Sequence, residues 1–167
     1  MSKTHIPTLA IVPGSFDPIT YGHIDLVKRA LKQYDKVCLA VMINSAKQYM
    51  FTIEERRQIA AAALEGIPNV EVISSEGMLW KLAEDLGATG IVKGYRNDRD
   101  LAYEREMANY NLAHNPHAPT VLLQAPKELA HVSSTDVRAR IKSHAPLHEY
   151  LPPSAERLVY EIWQKKQ

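Results

Sequence analysis

The stretch that decides the fold is Val12-Pro13-Gly14-Ser15-Phe16-Asp17-Pro18-Ile19-Thr20-Tyr21-Gly22-His23. It leaves an apolar run of strand length, Leu9–Val12, and enters helical spacing of apolar residues from Ile24 to Gln33. A strand that passes through a Gly/Pro loop into a helix is a common phosphate-binding corner, because the first helical turn offers unpaired N–H groups and a partial positive charge. Ser15 and His23 add a hydroxyl and an imidazole to this corner.

Short apolar runs alternate with helical patterns along the rest of the chain. The predicted strands are Leu9–Val12, Lys36–Met42, Val70–Ile73, Gly90–Lys93 and Thr120–Leu123. The predicted helices are Ile24–Gln33, Thr52–Leu64, Gly77–Leu86, Arg99–Ala113, Asp136–Lys142 and a last one that begins at Pro152-Pro153. This alternation predicts an α/β fold, namely a Rossmann-like, doubly wound parallel sheet of five strands with helices on both faces. Because 167 residues is an ordinary size for one domain, we expect residues 1–167 to form a single domain.

Composition narrows the class of protein. The formal net charge is +1, and 46% of the residues are hydrophobic, which is typical of a soluble globular protein and predicts no nucleic-acid partner. No apolar run approaches the roughly 18 residues of a membrane span, so we expect no membrane partner. The chain has one cysteine, Cys38, which lies in an apolar run and is expected to be buried. The expected location is the cytoplasm.

Residues suited to phosphate binding end or follow four of the predicted strands. They are Ser15 and His23, then Lys47, then Lys93 and Arg96, and finally Ser133, Ser134 and Thr135. In a parallel sheet, ligands bind beyond the carboxyl ends of the strands, at the point where the strand order reverses. We therefore expect these side chains to share one site.

The motifs that the sequence lacks restrict the chemistry. It contains no P-loop, no G-x-G-x-x-G and no G-x-S-x-G string. His114 and His117 are close in sequence but have no third ligand at metal spacing. We therefore expect them to lie on a solvent-exposed face and not to bind zinc. Cations and hydroxyls without an obvious general base suit a reaction that needs charge stabilisation, such as attack of a phosphate on the α-phosphorus of a nucleoside triphosphate.

The segment from Gly14 to His23 resembles the G-[ST]-F-D-P-x-T-x-G-H motif of the phosphopantetheine adenylyltransferases, which belong to the nucleotidyltransferase superfamily. Further agreement occurs at Met50–Arg56, Gly94–Arg96 and Val132–Thr135. The resemblance implies transfer of the adenylyl group of ATP to 4′-phosphopantetheine, which gives dephospho-coenzyme A and pyrophosphate with Mg²⁺ in coenzyme A biosynthesis. It also implies self-association as a homohexamer.

The resemblance assigns roles to individual residues. His23, Lys47 and Arg96 would be catalytic, and no residue would ligate a metal. The residues implied in ATP binding are Ser15, Phe16, His23, Gly94, Tyr95, Arg96, Glu104, Leu129, Ala130, His131, Val132, Ser133, Ser134 and Thr135. Those implied in binding the acceptor are Ser15, Lys47, Leu79 and Lys93. A core position for Leu79 and a surface position for Glu104 are the alternatives.

Three residues depart from the family pattern. Lys93 stands where the family usually has Arg. Lysine keeps the positive charge but lacks the two parallel N–H donors of arginine, so the affinity for the acceptor phosphate is affected. Leu129 stands where some members carry an aromatic residue, and Val132 replaces the usual Ile.

Two other functions stay open: a nucleotidyltransferase of the same fold that acts on nicotinamide mononucleotide or a polyol phosphate, and a non-catalytic nucleotide-binding regulator.

Overall fold

A computed structural model describes residues 6–167, in which five parallel strands form one sheet. The strands are β1 Leu9–Gly14, β2 Lys36–Met42, β3 Val70–Ser75, β4 Gly90–Tyr95 and β5 Thr120–Gln124. Their order in the sheet is β3-β2-β1-β4-β5. Every neighbouring pair is parallel, which confirms the predicted α/β architecture.

Helices cover both faces of the sheet. They are α1 Tyr21–Leu31, α2 Ile53–Ala63, α3 Leu79–Leu86, α4 Asp98–His114, α5 Ser134–Lys142 and α6 Pro153–Lys166, and a short 3₁₀ turn spans Lys127–Leu129. Within residues 6–167, no helix is long and apolar enough to cross a lipid bilayer.

The strands are apolar on both faces because each face is buried against helices. On one face, Val12 and Leu39 join a large cluster that includes residues of α1, α2, α5 and α6. Their sequence neighbours Ile11 and Cys38 point to the other face, where a smaller cluster includes Ala83 of α3. Cys38 is buried, as predicted.

The strand order reverses at β1. The chain goes from β1 outward to β2 and β3 on one side, then returns to place β4 and β5 on the other side. Two neighbouring strands whose connections leave in opposite directions open a crevice at their carboxyl ends. The loops after β1 and β4 therefore face each other across this crevice.

Several predicted boundaries were wrong by a few residues. Helix α1 begins at Tyr21 rather than Ile24, so His23 lies in its first turn. Tyr21, Gly22 and His23 do not form an apolar pattern from which this start could be predicted. Strand β4 continues to Tyr95, because Gly94 and Tyr95 pair with Leu123 and Gln124 of β5. Gly94 and Tyr95 are therefore strand residues beyond the predicted end at Lys93.

Candidate active site

A cavity of about 690 Å³ lies at the crevice between β1 and β4. This volume is in the range of small-molecule sites. Its wall includes fourteen of the residues singled out from the sequence: Ser15, Phe16, His23, Lys47, Lys93, Gly94, Tyr95, Arg96, Glu104, Leu129, Val132, Ser133, Ser134 and Thr135. Residues up to 120 positions apart in the chain therefore meet at one edge of the sheet, as the strand pattern predicts.

Three of the predicted residues do not line this cavity. Leu79, at the start of α3, is partly buried and packs against the smaller core cluster, which is the alternative considered for it. Ala130 and His131 are exposed after the 3₁₀ turn. Substrate contacts for these residues stay predictions.

The β1–α1 loop has an unusual backbone at Phe16. Its φ of 49° lies in the left-handed region, which a phenylalanine adopts at a cost of order 1–3 kcal/mol. This conformation folds the buried ring back over Gly14, where a β-carbon would lie only 3.0 Å from the ring. The ring also meets the imidazole of His23 edge-on, with 4.9 Å between the ring centroids. The Phe16 ring thus packs as a wall behind His23.

His23 is held in one tautomer. Its Nδ1 accepts a hydrogen bond of 3.0 Å from the backbone N–H of Thr20, the residue before α1. Because Nδ1 is the acceptor, the proton of the neutral ring is on Nε2. Burial, and secondarily the positive charge of Arg96, lower the pKa of His23 to about 4. At neutral pH, His23 is therefore an uncharged hydrogen-bond donor through Nε2.

Charged side chains surround the cavity in pairs. Four of the five cations on its wall lie within 4 Å of a carboxylate, at 2.7 Å for Lys93–Glu104, 3.4 Å for Arg96–Asp100, 3.7 Å for Arg29–Asp25 and 3.9 Å for Arg138–Asp17. The fifth cation, Lys47, is exposed and has no carboxylate at that distance among residues 6–167. The wall therefore carries one more positive than negative side chain.

Two buried charged residues hold the cavity loops together. The carboxylate of Asp17 accepts the backbone N–H groups of Met50 and Phe51, at 2.9 and 3.1 Å. The guanidinium of Arg56 donates to the carbonyl oxygens of Ser15 at 2.8 Å, Met42 at 3.1 Å and Phe51 at 3.2 Å. The loop after β1 is thereby fixed to the segment between β2 and α2.

The start of α5 forms part of the cavity wall. Ser133 is the N-cap, and its hydroxyl accepts the N–H of Asp136 at 3.1 Å. Ser134 donates its hydroxyl to the carbonyl of Pro18 at 2.8 Å, so the helix start is fixed against the β1–α1 loop. A helix N-terminus in this position presents N–H groups and partial positive charge to the cavity.

Sequence comparisons identify the family to which this arrangement belongs. Residues 11–140 match the family model described as cytidylyltransferase-like. The phosphopantetheine adenylyltransferase of Caldanaerobacter subterraneus subsp. tengcongensis is 40% identical over 152 residues, which cover 90% of this chain and 95% of the relative. The enzyme of the same name from Lactobacillus acidophilus is 40% identical over 90% of this chain and 94% of its own. The chain belongs to the phosphopantetheine adenylyltransferase family.

A structural comparison agrees on the fold. The solved structure of a protein assigned as a nicotinate-nucleotide adenylyltransferase from Vibrio parahaemolyticus superposes with a TM-score of 0.64. The superposition covers 92% of this chain and 98% of the other, at 19% sequence identity. At that identity, the likeness shows that this member of the phosphopantetheine adenylyltransferase family shares the nucleotidyltransferase fold.

Four side chains that shape the cavity of this family member were not among the site residues predicted from its sequence. Arg138 lies one helical turn after Thr135. Its guanidinium donates to the Thr135 hydroxyl at 3.1 Å and to the carbonyl of Asp17 at 2.9 Å. Helical spacing from Ser134 and Thr135 could have predicted its place at the site. Asp17 was inside the quoted motif without a role. Arg56 ends the matching segment Met50–Arg56, where it also had no role. Tyr49 has no sequence signal, because its contacts arise only when separate loops pack together.

Proposed function

We propose that this protein transfers the adenylyl group of ATP to 4′-phosphopantetheine and releases dephospho-coenzyme A and pyrophosphate, a step in coenzyme A biosynthesis. The observation that carries this proposal is the single cavity in which His23, Lys47, Lys93 and Arg96 meet, in a chain of this family. The reacting groups are two anions, and the cavity wall supplies cations and N–H donors on several sides.

The nucleotide fits the side of the cavity formed by α5 and β4. The N–H groups at the start of α5 suit the outer phosphates of ATP, and Arg138 adds a cation beside them. Arg96, at the end of β4, faces the same space. Leu129 and the segment after β5 offer apolar surface for the adenine ring.

The acceptor phosphate fits between Ser15, Lys47 and Lys93. Lys93 is partly buried, with 24% of its side chain exposed, and its ammonium is 2.7 Å from Glu104. A lysine binds phosphate as a point charge and not through a bidentate fork. The ion pair with Glu104 fixes the position of the Lys93 ammonium. The ammonium would then hold the acceptor phosphate near the Ser15 hydroxyl, which lines the same cavity.

The chemical step is a direct displacement at the α-phosphorus. An oxygen of the acceptor phosphate forms the new bond, the bond from the α-phosphorus to the bridging oxygen breaks, and pyrophosphate leaves with the electron pair. The nucleophile is already an anion, so no general base is required. His23 donates its Nε2 proton in a hydrogen bond to a nonbridging α-phosphate oxygen, while Lys47 and Arg96 offset the charge that develops.

Magnesium enters as part of the substrate in this proposal. Residues 6–167 contain no group of three or more His, Cys, Asp or Glu side chains that could hold a metal ion. The carboxylates of Asp17, Asp25, Asp100 and Glu104 on the cavity wall each lie within 4 Å of a cation. We therefore propose that the triphosphate of MgATP and water supply the ligands of Mg²⁺.

We also propose that the protein works in the cytoplasm as a homohexamer. The buried, unpaired Cys38 suits a reducing compartment. For assembly, Tyr103, Met107 and Tyr110 follow each other at helical spacing along α4 with 58%, 37% and 43% of their surface exposed. A second copy of the chain would cover this apolar stripe.

Pyrophosphate release with a panel of acceptors tests the proposed function. The purified protein is incubated with MgATP and, separately, with 4′-phosphopantetheine, nicotinamide mononucleotide and glycerol 3-phosphate. We expect release only with 4′-phosphopantetheine, because the chain belongs to the phosphopantetheine adenylyltransferase family. Release with nicotinamide mononucleotide or glycerol 3-phosphate alone would assign another nucleotidyltransferase, and binding of ATP without release in any mixture would indicate a regulator.

His23→Asn is the matched variant for this assay. Its Oδ1 can still accept the N–H of Thr20, but the Nε2 donor is lost. We expect kcat to fall by at least about 100-fold with 4′-phosphopantetheine, the scale of one lost transition-state contact, while the Kd for ATP is unchanged. An equal loss of ATP affinity and kcat would make His23 a binding residue only.

A further inference from the structure

Tyr49 lies on the cavity wall beside Lys47, and the proposed function gives it no role. It follows the loop of residues 44–48 that connects β2 to the segment before α2. The side chain is partly buried although the loop itself is exposed. A tyrosine in this position has both its hydroxyl and its ring available to fix the loop.

The hydroxyl of Tyr49 closes the loop on itself. It accepts the backbone N–H of Asn44 at 2.7 Å and can donate to the carbonyl oxygen of the same residue at 3.3 Å. That carbonyl also accepts the N–H of Lys47 at 3.0 Å, and the Asn44 side chain accepts the N–H of Ala46 at 3.0 Å. The backbone around Lys47 is thus held at both ends through Asn44.

The ring of Tyr49 joins the loop to the rest of the site. It lies on the guanidinium of Arg56, with 3.9 Å between the ring centroid and Cζ. Arg56 is only 1% exposed and donates to the carbonyl oxygens of Ser15 and Met42. A cation stacked on an aromatic face in a desolvated position is a stabilising contact. The loop that carries Lys47 is therefore tied to the loop that carries Ser15.

The electrostatic surroundings agree with a polarised hydroxyl. Burial raises the pKa of Tyr49, but hydrogen bonds with Ser15 and Asn44 and the charges of Arg56 and Lys47 outweigh burial, so the pKa lies below its ordinary value. The Tyr49 and Ser15 oxygens are 3.5 Å apart.

We propose that Tyr49 is a positioning residue that fixes the Lys47 ammonium at the reacting phosphates by closing the loop of residues 44–48. Lys47 has no carboxylate partner within 4 Å in the part of the chain that the structure describes, so the backbone of its loop sets the point from which the side chain reaches the cavity. A misplaced catalytic group loses most of the benefit of preorganisation. This inference rests on the proposed function, in which Lys47 stabilises the transition state.

Tyr49→Phe tests the inference, because it keeps the ring on Arg56 and removes the hydroxyl. We expect kcat for pyrophosphate release to fall about tenfold, the scale of one hydrogen bond, with the KM for ATP changed less than about twofold. The decisive comparison is the same substitution in a Lys47→Ala background. If Tyr49 acts through Lys47, Tyr49→Phe has no further effect on kcat there.

Trypsin gives a second readout that does not depend on activity. Lys47 is the one basic residue between Lys36 and Arg56, so cleavage after it is identified by mass spectrometry. Without the Tyr49 hydroxyl, we expect cleavage after Lys47 to be up to about tenfold faster, since proteolysis tracks the population of the opened loop. Tyr160→Phe is the matched control: its hydroxyl donates to the carbonyl of Ala145, away from the cavity, and its loss should change neither kcat nor this cleavage.

An unchanged kcat in Tyr49→Phe, an equal additional loss in the Lys47→Ala background, or an unchanged cleavage rate after Lys47 would each overturn the inference. A wild-type protein that releases no pyrophosphate with 4′-phosphopantetheine would refute the proposed function instead. The wild-type rate therefore separates the two failures.

Discussion

His23 shows how the surroundings of one residue determine its chemistry. The imidazole is held by the N–H of Thr20 and is neutral because burial and Arg96 lower its pKa to about 4. In the unfolded chain the pKa of a histidine is about 6.5. Between these two values the unfolded state binds more protons than the folded state, so the protein loses stability as the pH falls from about 6.5 towards 4.

The His23→Asn variant isolates this effect. We expect the free energy of unfolding of the wild type to fall by about 2 kcal/mol more than that of His23→Asn between pH 7.5 and pH 5.0. Urea denaturation at the two pH values measures it, and the other histidines are common to both proteins. An identical loss in both proteins would show that His23 is not kept neutral by the fold.

At the scale of structural elements, the cavity depends on loops that are fixed to each other. The buried carboxylate of Asp17, 3% exposed, accepts two backbone N–H groups from the segment before α2, and the start of α5 is bonded to the same loop through Ser134. Buried N–H groups that lose their acceptor carry a desolvation penalty. These bonds hold the β1–α1 loop between α2 and α5.

Asp17→Asn measures this coupling. One carboxylate oxygen becomes an NH₂ group that faces a backbone N–H, so we expect the free energy of unfolding to fall by about 1–3 kcal/mol in chemical denaturation. Asp25→Asn is the control, because Asp25 is partly exposed and pairs with Arg29 at 3.7 Å, and we expect a change below about 1 kcal/mol. Equal effects in the two variants would mean that Asp17 does not join the loops.

The elements differ in how far the sequence specifies them. All five strands and the position of the site are predictable, because apolar runs such as Val37–Val41 and the polar loops after them follow the rules of parallel sheets. The extension of β4 through Gly94 and Tyr95 depends on pairing with β5, which no local pattern records. The contacts of Tyr49 with Arg56 likewise exist only in the packed molecule.

At the scale of the whole molecule, the fold brings charges together that the net charge of +1 conceals. Five cations and four carboxylates line the cavity, and Lys47 is the cation without a carboxylate within 4 Å in residues 6–167. The carboxylates hold the paired cations at the cavity wall, where their positive charge is available to phosphate. Two anions that repel each other in water can therefore lie side by side in this cavity.

The steric course of the reaction tests most directly whether the two anions react with each other in this cavity. The enzyme is given 4′-phosphopantetheine and ATP with a chiral thiophosphate at the α-phosphorus. The configuration at that phosphorus is then determined in the product and compared with that of the substrate. Direct attack by the acceptor phosphate predicts inversion. Retention, which indicates two displacements through an adenylylated residue of the enzyme, would contradict it.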